Sequence, residues 1–161
     1  MPEDFLHEAC NYINDLHELH IGFEQGKTEA ICKFYFEQPS IKLGTNKTQL
    51  IHKAFKWSYD NADNYSLDFY YLPPVDSFMA IKQGVFSLVG KNAFEASLFG
   101  RVLDICRPKI TLDEIFYLEI QSKSNNRRSF DIKLYDAEKS VTDYGEVIRS
   151  AGRHYKLPNT C

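Results

Sequence analysis

The chain lacks several things that would have placed it quickly. No uninterrupted apolar run approaches the roughly 18 residues a membrane helix needs, so we expect no membrane span. Its first residues, MPEDFLHEAC, are acidic where a secretory leader is basic, and no apolar stretch follows them. We therefore expect an intracellular protein, cytoplasmic or nuclear, and take the sequons at Asn46 and Asn64 as chance matches. Cysteine is sparse and scattered: Cys10, Cys32, Cys106 and Cys161 form no CxxC pair and no metal-ligand spacing, which excludes a zinc ribbon and suits reduced thiols. There is no P-loop, GxGxxG, GxSxG or HExxH, so the motif-bearing routes to nucleotide, dinucleotide, hydrolase and metalloprotease chemistry are closed and no cofactor is implied. Neither sign of charge dominates, with 19 Lys and Arg against 22 Asp and Glu, and the chain carries no direct nucleic-acid signal. No repeat, low-complexity tract or linker marks a boundary, and a single domain over residues 1–161, with its core at about 5–136, is expected.

What is present is apolar and aromatic. Hydrophobic residues make up 43% and aromatics 14%, enough for a chain of this size to bury a substantial core. Phe5, Leu6, Ala9, Tyr12, Ile13, Leu16, Leu19, His20 and Phe23 recur at spacings of three and four and predict a long helix from Phe5 to Phe23. Thr28 can cap a second helix over Glu29–Phe36, with Ile31, Phe34 and Tyr35 on its apolar face. A brief strand over Ser40–Gly44 then leads to a third helix, capped at Thr45 or Asn46, with Leu50, Ile51, Ala54, Phe55 and Ser58 on one face. Tyr65–Gly90 predicts a long hairpin: Leu67, Phe69 and Tyr71 alternate in the first arm, Met79, Ile81, Val85 and Val89 in the second, and Pro73 and Pro74 close the first. Phe94–Ile105 fits either period, and Gly100 with Pro108 tips it toward strand. Glu114–Gln121 and Ser129–Tyr135 predict a second hairpin, and Val141–Arg149 a short helix. The core is expected to include Leu16, Phe34, Phe55, Ile81 and Val85.

Helices first and antiparallel strands after them make an α+β chain. The segments SLDFYYLPPVDSFMAIKQGVFSLVG and FYFEQPSIKLGTNKTQLIHKAF resemble strands two and three, and the helix, short strand and turn before the third helix, of the nuclear transport factor 2-like superfamily. The pattern is nearest to its eukaryotic transport-factor and mRNA-export branch. The resemblance implies a cone of three N-terminal helices packed on a bent antiparallel sheet, spanning about Phe5–Asp136. It also implies a non-catalytic interaction module for nucleocytoplasmic transport, pairing through its sheet face with a second copy or a second domain of the same kind. Leu43 and Gly44 stand where Ran-binding members have tryptophan and an acid, so the resemblance does not extend to Ran recognition. On this reading Phe69, Tyr70, Tyr71, Phe78 and Phe86 form the interface.

The superfamily also holds enzymes resembling ketosteroid isomerases and polyketide cyclases, which work on small ligands inside the cone. That alternative would use Asp68 or His20 as a base on a small apolar ligand, in a pocket lined by Trp57 and Tyr117. Alternation sets Asp68 opposite Leu67 and Phe69, which favours a surface or cross-strand role. His17 and His20, with His7 upstream, have a spacing able to reach one metal on a helix, but no further ligand completes a motif and no metal is expected. Two basic clusters, Lys47, Lys53 and Lys56 with His52, and Lys123, Arg127 and Arg128, read as a solvated helix face and a hairpin loop.

Overall fold

A computed structural model describes residues 3–12, 17–25, 29–38, 46–61, 63–90, 93–123 and 126–157. The chain divides into two compact units, Met1–Pro74 with Leu118–Asp131, and Val75–Tyr117 with Ile132–Cys161. In the first, α1 (Glu3–Tyr12) precedes β1 (Glu18–Gln25), β2 (Ala30–Glu37), β3 (Gln49–Ser58) and β4 (Tyr65–Leu72). With β5 (Phe116–Ser122) and β6 (Arg128–Lys133) these form a curled, six-stranded antiparallel sheet whose spatial order follows the chain. The second unit holds α2 (Phe78–Val89), α3 (Phe94–Cys106) and α4 (Gly145–His154). The α+β class is as expected, but most of the helix follows the four leading strands rather than preceding the sheet.

Successive side chains leave a pleated strand on opposite sides, so the strands of the first unit present two faces. Cys32, Phe34 and Phe36 on β2 share the first face with Phe55 and Trp57 on β3 and Leu67 and Phe69 on β4. Phe36, Phe55 and Leu67 form a buried cluster with Ala9 of α1, and Phe34 and Phe69 pack against it. Phe34 meets the Trp57 ring edge-on at 5.2 Å, and Phe36 meets Phe55 at 5.1 Å, the geometry aromatic quadrupoles favour. The opposite face carries Lys33, Tyr35 and Glu37, then His52, Ala54 and Lys56, then Ser66, Asp68 and Tyr70. Near the far end of β3 the register with β4 shifts: Leu50 opposes Tyr71 and His52 opposes Tyr70, leaving buried Ile51 as the extra residue of a bulge.

Several expected elements are corrected. The helix expected over Phe5–Phe23 is α1 to Tyr12 and strand β1 from Glu18, while Leu16 lies outside the described residues. The second and third expected helices are β2 and β3, and the brief strand at Ser40–Gly44 falls outside the described residues. Phe34, Phe36, Ile51, Phe55 and Trp57 alternate along those strands, but β3 buries Ile51, Phe55 and Trp57 as well as Ala54 and Ser58, so two covered faces erase its alternation. The three N-terminal helices of the expected cone are therefore not what these segments form.

The second arm of the central hairpin is α2. Ser77 caps it, its Oγ accepting the Ala80 N–H at 3.1 Å. Gly90 ends it at φ 90°, a left-handed conformation natural to glycine, with its N–H donating to the Phe86 carbonyl. Ile81 and Val85 are fully buried, whereas Met79 is 59% exposed. Phe94–Cys106 is also helical, with Ala96, Phe99, Leu103 and Cys106 buried at spacings of three, four and three. Gly100 faces open space and interrupts nothing. The second hairpin appears as β5 and β6, and the expected C-terminal helix as a 3-10 turn, Val141–Tyr144, running into α4. Cys106 Sγ lies 3.0 Å from Tyr144 Oη; burial first, then this contact, pushes the phenol up to about 12. No helix among the described residues is long and apolar enough to cross a membrane.

Candidate functional site

The polar face of the sheet is built by register. Lys33 on β2 lies directly opposite Lys56 on β3, and Lys56 opposite Ser66 on β4. One step along, Tyr35, Ala54, Asp68 and Ser122 form a row across β2, β3, β4 and β5. Like charges set opposite one another weaken a ladder, so the two lysines need counter-charges. Glu24, from β1, pairs with Lys33. Asp68 Oδ2 accepts from Lys56 Nζ at 2.6 Å and lies 3.6 Å from Arg127 Nη2. Ala54, fully buried between Tyr35 and Asp68, projects only a methyl group from the row.

Around this row is a cavity of about 550 Å³, within the range of small-molecule sites. Glu24, Lys33, Lys56, Asp68, Ser122 and Arg127 line it, with Ile31 adding apolar wall and Trp57 bordering it from β3. Asp68 is 1% exposed and Ser122 7%, yet among the described residues Asp68 Oδ1 and Ser122 Oγ have no hydrogen-bond partner. A buried polar atom left unsatisfied costs about 1–3 kcal/mol, and here two such atoms lie on directly opposed residues of neighbouring strands, open to a water or to a polar ligand.

Of the two roles expected for it, Asp68 takes the cross-strand one, paired with Lys56 on the neighbouring strand, and it is not on the surface. It is the most deeply buried charged group described, and alternation assigned its face correctly, away from Leu67 and Phe69. His20 lies elsewhere: it is on β1 with a side chain 52% exposed, beside Glu18 and Glu37. Trp57 borders the Asp68 cavity, whereas Tyr117, 1% exposed, belongs to the second unit. Of the residues expected at an interface, Phe69 and Tyr71 stack on each other on the apolar side of β4. Tyr70 is on the Asp68 face, edge-on to Tyr35 and His52, its phenol held well above the ordinary range chiefly by burial and then by Tyr35 and Asp68. Phe78 and Phe86 are on α2, so these five do not form one sheet surface.

Sequence reasoning passed over Glu24, Lys33 and Ser122 and assigned Lys56 and Arg127 to two unrelated basic clusters. The two cations converge on one carboxylate only because β4 lies between β3 and β5. A second cavity of about 330 Å³ opens in the other unit beside α2 and α3, where Lys82 pairs with Asp104 at 2.9 Å, but it is lined by no buried polar atom lacking a partner. No family model, curated protein or solved structure matches the chain.

Proposed function

We propose that the first unit is a non-catalytic binding module for a small polar ligand, one that presents a hydroxyl or ammonium donor to Asp68 and an anionic group to Lys33 and Arg127. The observation that carries this reading is the pair of buried, unsatisfied acceptor atoms, Asp68 Oδ1 and Ser122 Oγ, in one cavity. Asp68 serves as an acceptor: Oδ2 already accepts from Lys56 at 2.6 Å, which leaves Oδ1 for the ligand. The mixed lining, three cations and two carboxylates, suits a ligand with both kinds of charge better than an apolar one. Trp57, the only tryptophan, is next to cavity-lining Lys56 on β3, its ring on the other side of the strand against Phe34, and supplies the signal. Titrating the protein with α-amino acids, O-phosphoethanolamine and glycerol 3-phosphate should reveal at least one compound that changes Trp57 emission saturably, and Asp68→Asn should abolish the response. Silence across the panel, or an undiminished response in Asp68→Asn, would refute the proposal.

A second reading, closer to the expected interaction module, rests on β1. This strand ends the sheet, and Leu19, Ile21 and Phe23, on the face opposite His20, are 43%, 58% and 79% exposed. An edge strand with an apolar face is a template for strand addition. Antiparallel pairing of two copies about Ile21 would set Leu19 against Phe23 and make the contact self-complementary. Sedimentation of wild type against Phe23→Glu tests it: a concentration-dependent dimer lost in the variant supports pairing, and a monomeric wild type removes it.

A further inference from the structure

At the far end of the polar face, away from Asp68, the ligand atoms of Glu18, His20 and Glu37 converge on two adjacent strands, and His52 stands beside Glu37 on the next. Glu18 and His20 are two apart on β1 and so leave the same side of the strand. Glu37 on β2 directly opposes Glu18, and His52 on β3 directly opposes Glu37. His20 Nε2 lies 3.3 Å from Glu18 Oε2 and 3.5 Å from Glu37 Oε2, and Glu37 Oε2 lies 4.0 Å from His52 Nδ1. A tetrahedral ion with bonds of about 2.0–2.1 Å holds its ligand atoms roughly 3.3–3.4 Å apart. The two separations from His20 already have that length, and His52, 4.0 Å from Glu37, would move inward to join them.

A second observation also calls for a cation. Glu18 and Glu37 are opposed carboxylates, an arrangement that weakens a ladder unless something positive lies between them. Farther along the same strands the corresponding problem is solved by opposite charges: Glu24 and Asp68 serve Lys33 and Lys56. Here, among the described residues, the groups that pair with the two carboxylates are His20 and His52, which are ligands as readily as they are cations. The set is graded in depth, with side-chain exposures of 57% at Glu18, 52% at His20, 19% at Glu37 and 15% at His52. The site is open on one side and backed by the sheet on the other.

We infer that Glu18, His20, Glu37 and His52 form a site for a divalent transition-metal ion of the zinc type. Imidazole nitrogen with carboxylate oxygen suits zinc, cobalt or nickel, whereas calcium and magnesium take oxygen alone. A bound ion would replace the repulsion between Glu18 and Glu37 with shared attraction and clamp the edge strand to its two neighbours. Because the ligands come from three strands, the site exists only in the folded sheet.

Calorimetric titration of tag-free protein with zinc chloride tests this, joined by cobalt titration for the visible bands of a tetrahedral ion. Wild type should bind one zinc per chain with a dissociation constant on the order of 10 μM or tighter, while His20→Ala and Glu37→Gln should each bind at least about tenfold more weakly. His17→Ala, three residues from His20 and outside the set, should bind as wild type does. Circular dichroism on each variant separates loss of ligand from loss of fold; because His20 is half-exposed, its variant should remain folded. Absence of saturable zinc binding below about 100 μM, or a folded His20→Ala that binds like wild type, would overturn the inference.

Discussion

Replacing Asp68 with alanine should destabilise the first unit by about 3 kcal/mol, roughly two powers of ten in the folding constant. The variant leaves the Lys56 ammonium, whose side chain is 17% exposed, without the carboxylate now 2.6 Å away. Breaking a buried pair by removing one member costs about 3–5 kcal/mol because the survivor stays desolvated. Lys56 borders the cavity, so water can reach part of it, and the lower end of that range applies. Arg127, itself 59% exposed, lies 3.6 Å from Asp68 and adds little. The reverse deletion, Lys56→Met, should cost a similar amount, since Asp68 is then left with Arg127 alone. Replacing both, as Asp68→Leu with Lys56→Met, removes both desolvated charges and should return to within about 1 kcal/mol of wild type. Urea unfolding at neutral pH, followed by Trp57 fluorescence, isolates the first unit because no other tryptophan exists. If Asp68→Ala costs less than about 1 kcal/mol, or if the double variant is as unstable as either single one, the pair is not the buried interaction argued here.

Phe55→Ala should cost about 3–5 kcal/mol in the same assay, since the ring is fully buried within the Ala9, Phe36 and Leu67 cluster. Alkali should destabilise the protein between pH 10 and 12: burial raises the Tyr144 phenol from 10.0 to about 12, so its contribution is complete below 10 and lost as pH climbs through the folded value, and Tyr144→Phe should flatten that limb of a melting-temperature profile. Acid should destabilise the protein too, through lowered carboxylates. Glu114 and Asp143, held below 4.5 and 3.8 by hydrogen bonds from Thr111 and Ser140, contribute stability above those values and lose it as pH falls through their lowered ones, so Glu114→Gln should make melting less sensitive to acid. Thiol labelling with mass-spectrometric readout should modify exposed Cys10 in the native state, while Cys32 and Cys106 react only in denaturant.

The class of the fold and the last third of the chain were legible in the sequence, and the physical reason the rest was not is specific. Ile81, Val85 and Val89 are spaced by four, which is both a near-turn of helix and two steps of strand, so this triplet cannot separate the two. Ser77 and Gly90, a side-chain cap and a left-handed stop, were the deciding signals for α2, and they outweigh the apparent alternation. Ile51 and Phe55 carry the same ambiguity, compounded because β3 is covered on both faces. The site was half visible. Asp68 stood out as a charged residue among aromatics, but Lys33 and Ser122 acquire meaning only from the residues opposite them, and pairing register is set by tertiary packing, not by local pattern.

The bulge at Ile51 bears on how this protein can change over generations. On β2, β3 and β4 the even and odd positions have separate duties, one set packing the core and the other furnishing Asp68 and its neighbours. Ile51, the one unmatched residue, keeps the two stretches of β3 in phase with β4. Losing its codon, or gaining one within these strands, would turn every side chain beyond that point to the wrong side of the sheet. Point substitution can therefore retune the cavity one group at a time, and a single-codon gain or loss is closed to it as a route of variation. The length of each strand is in this sense as much a part of the site as Lys56 or Asp68.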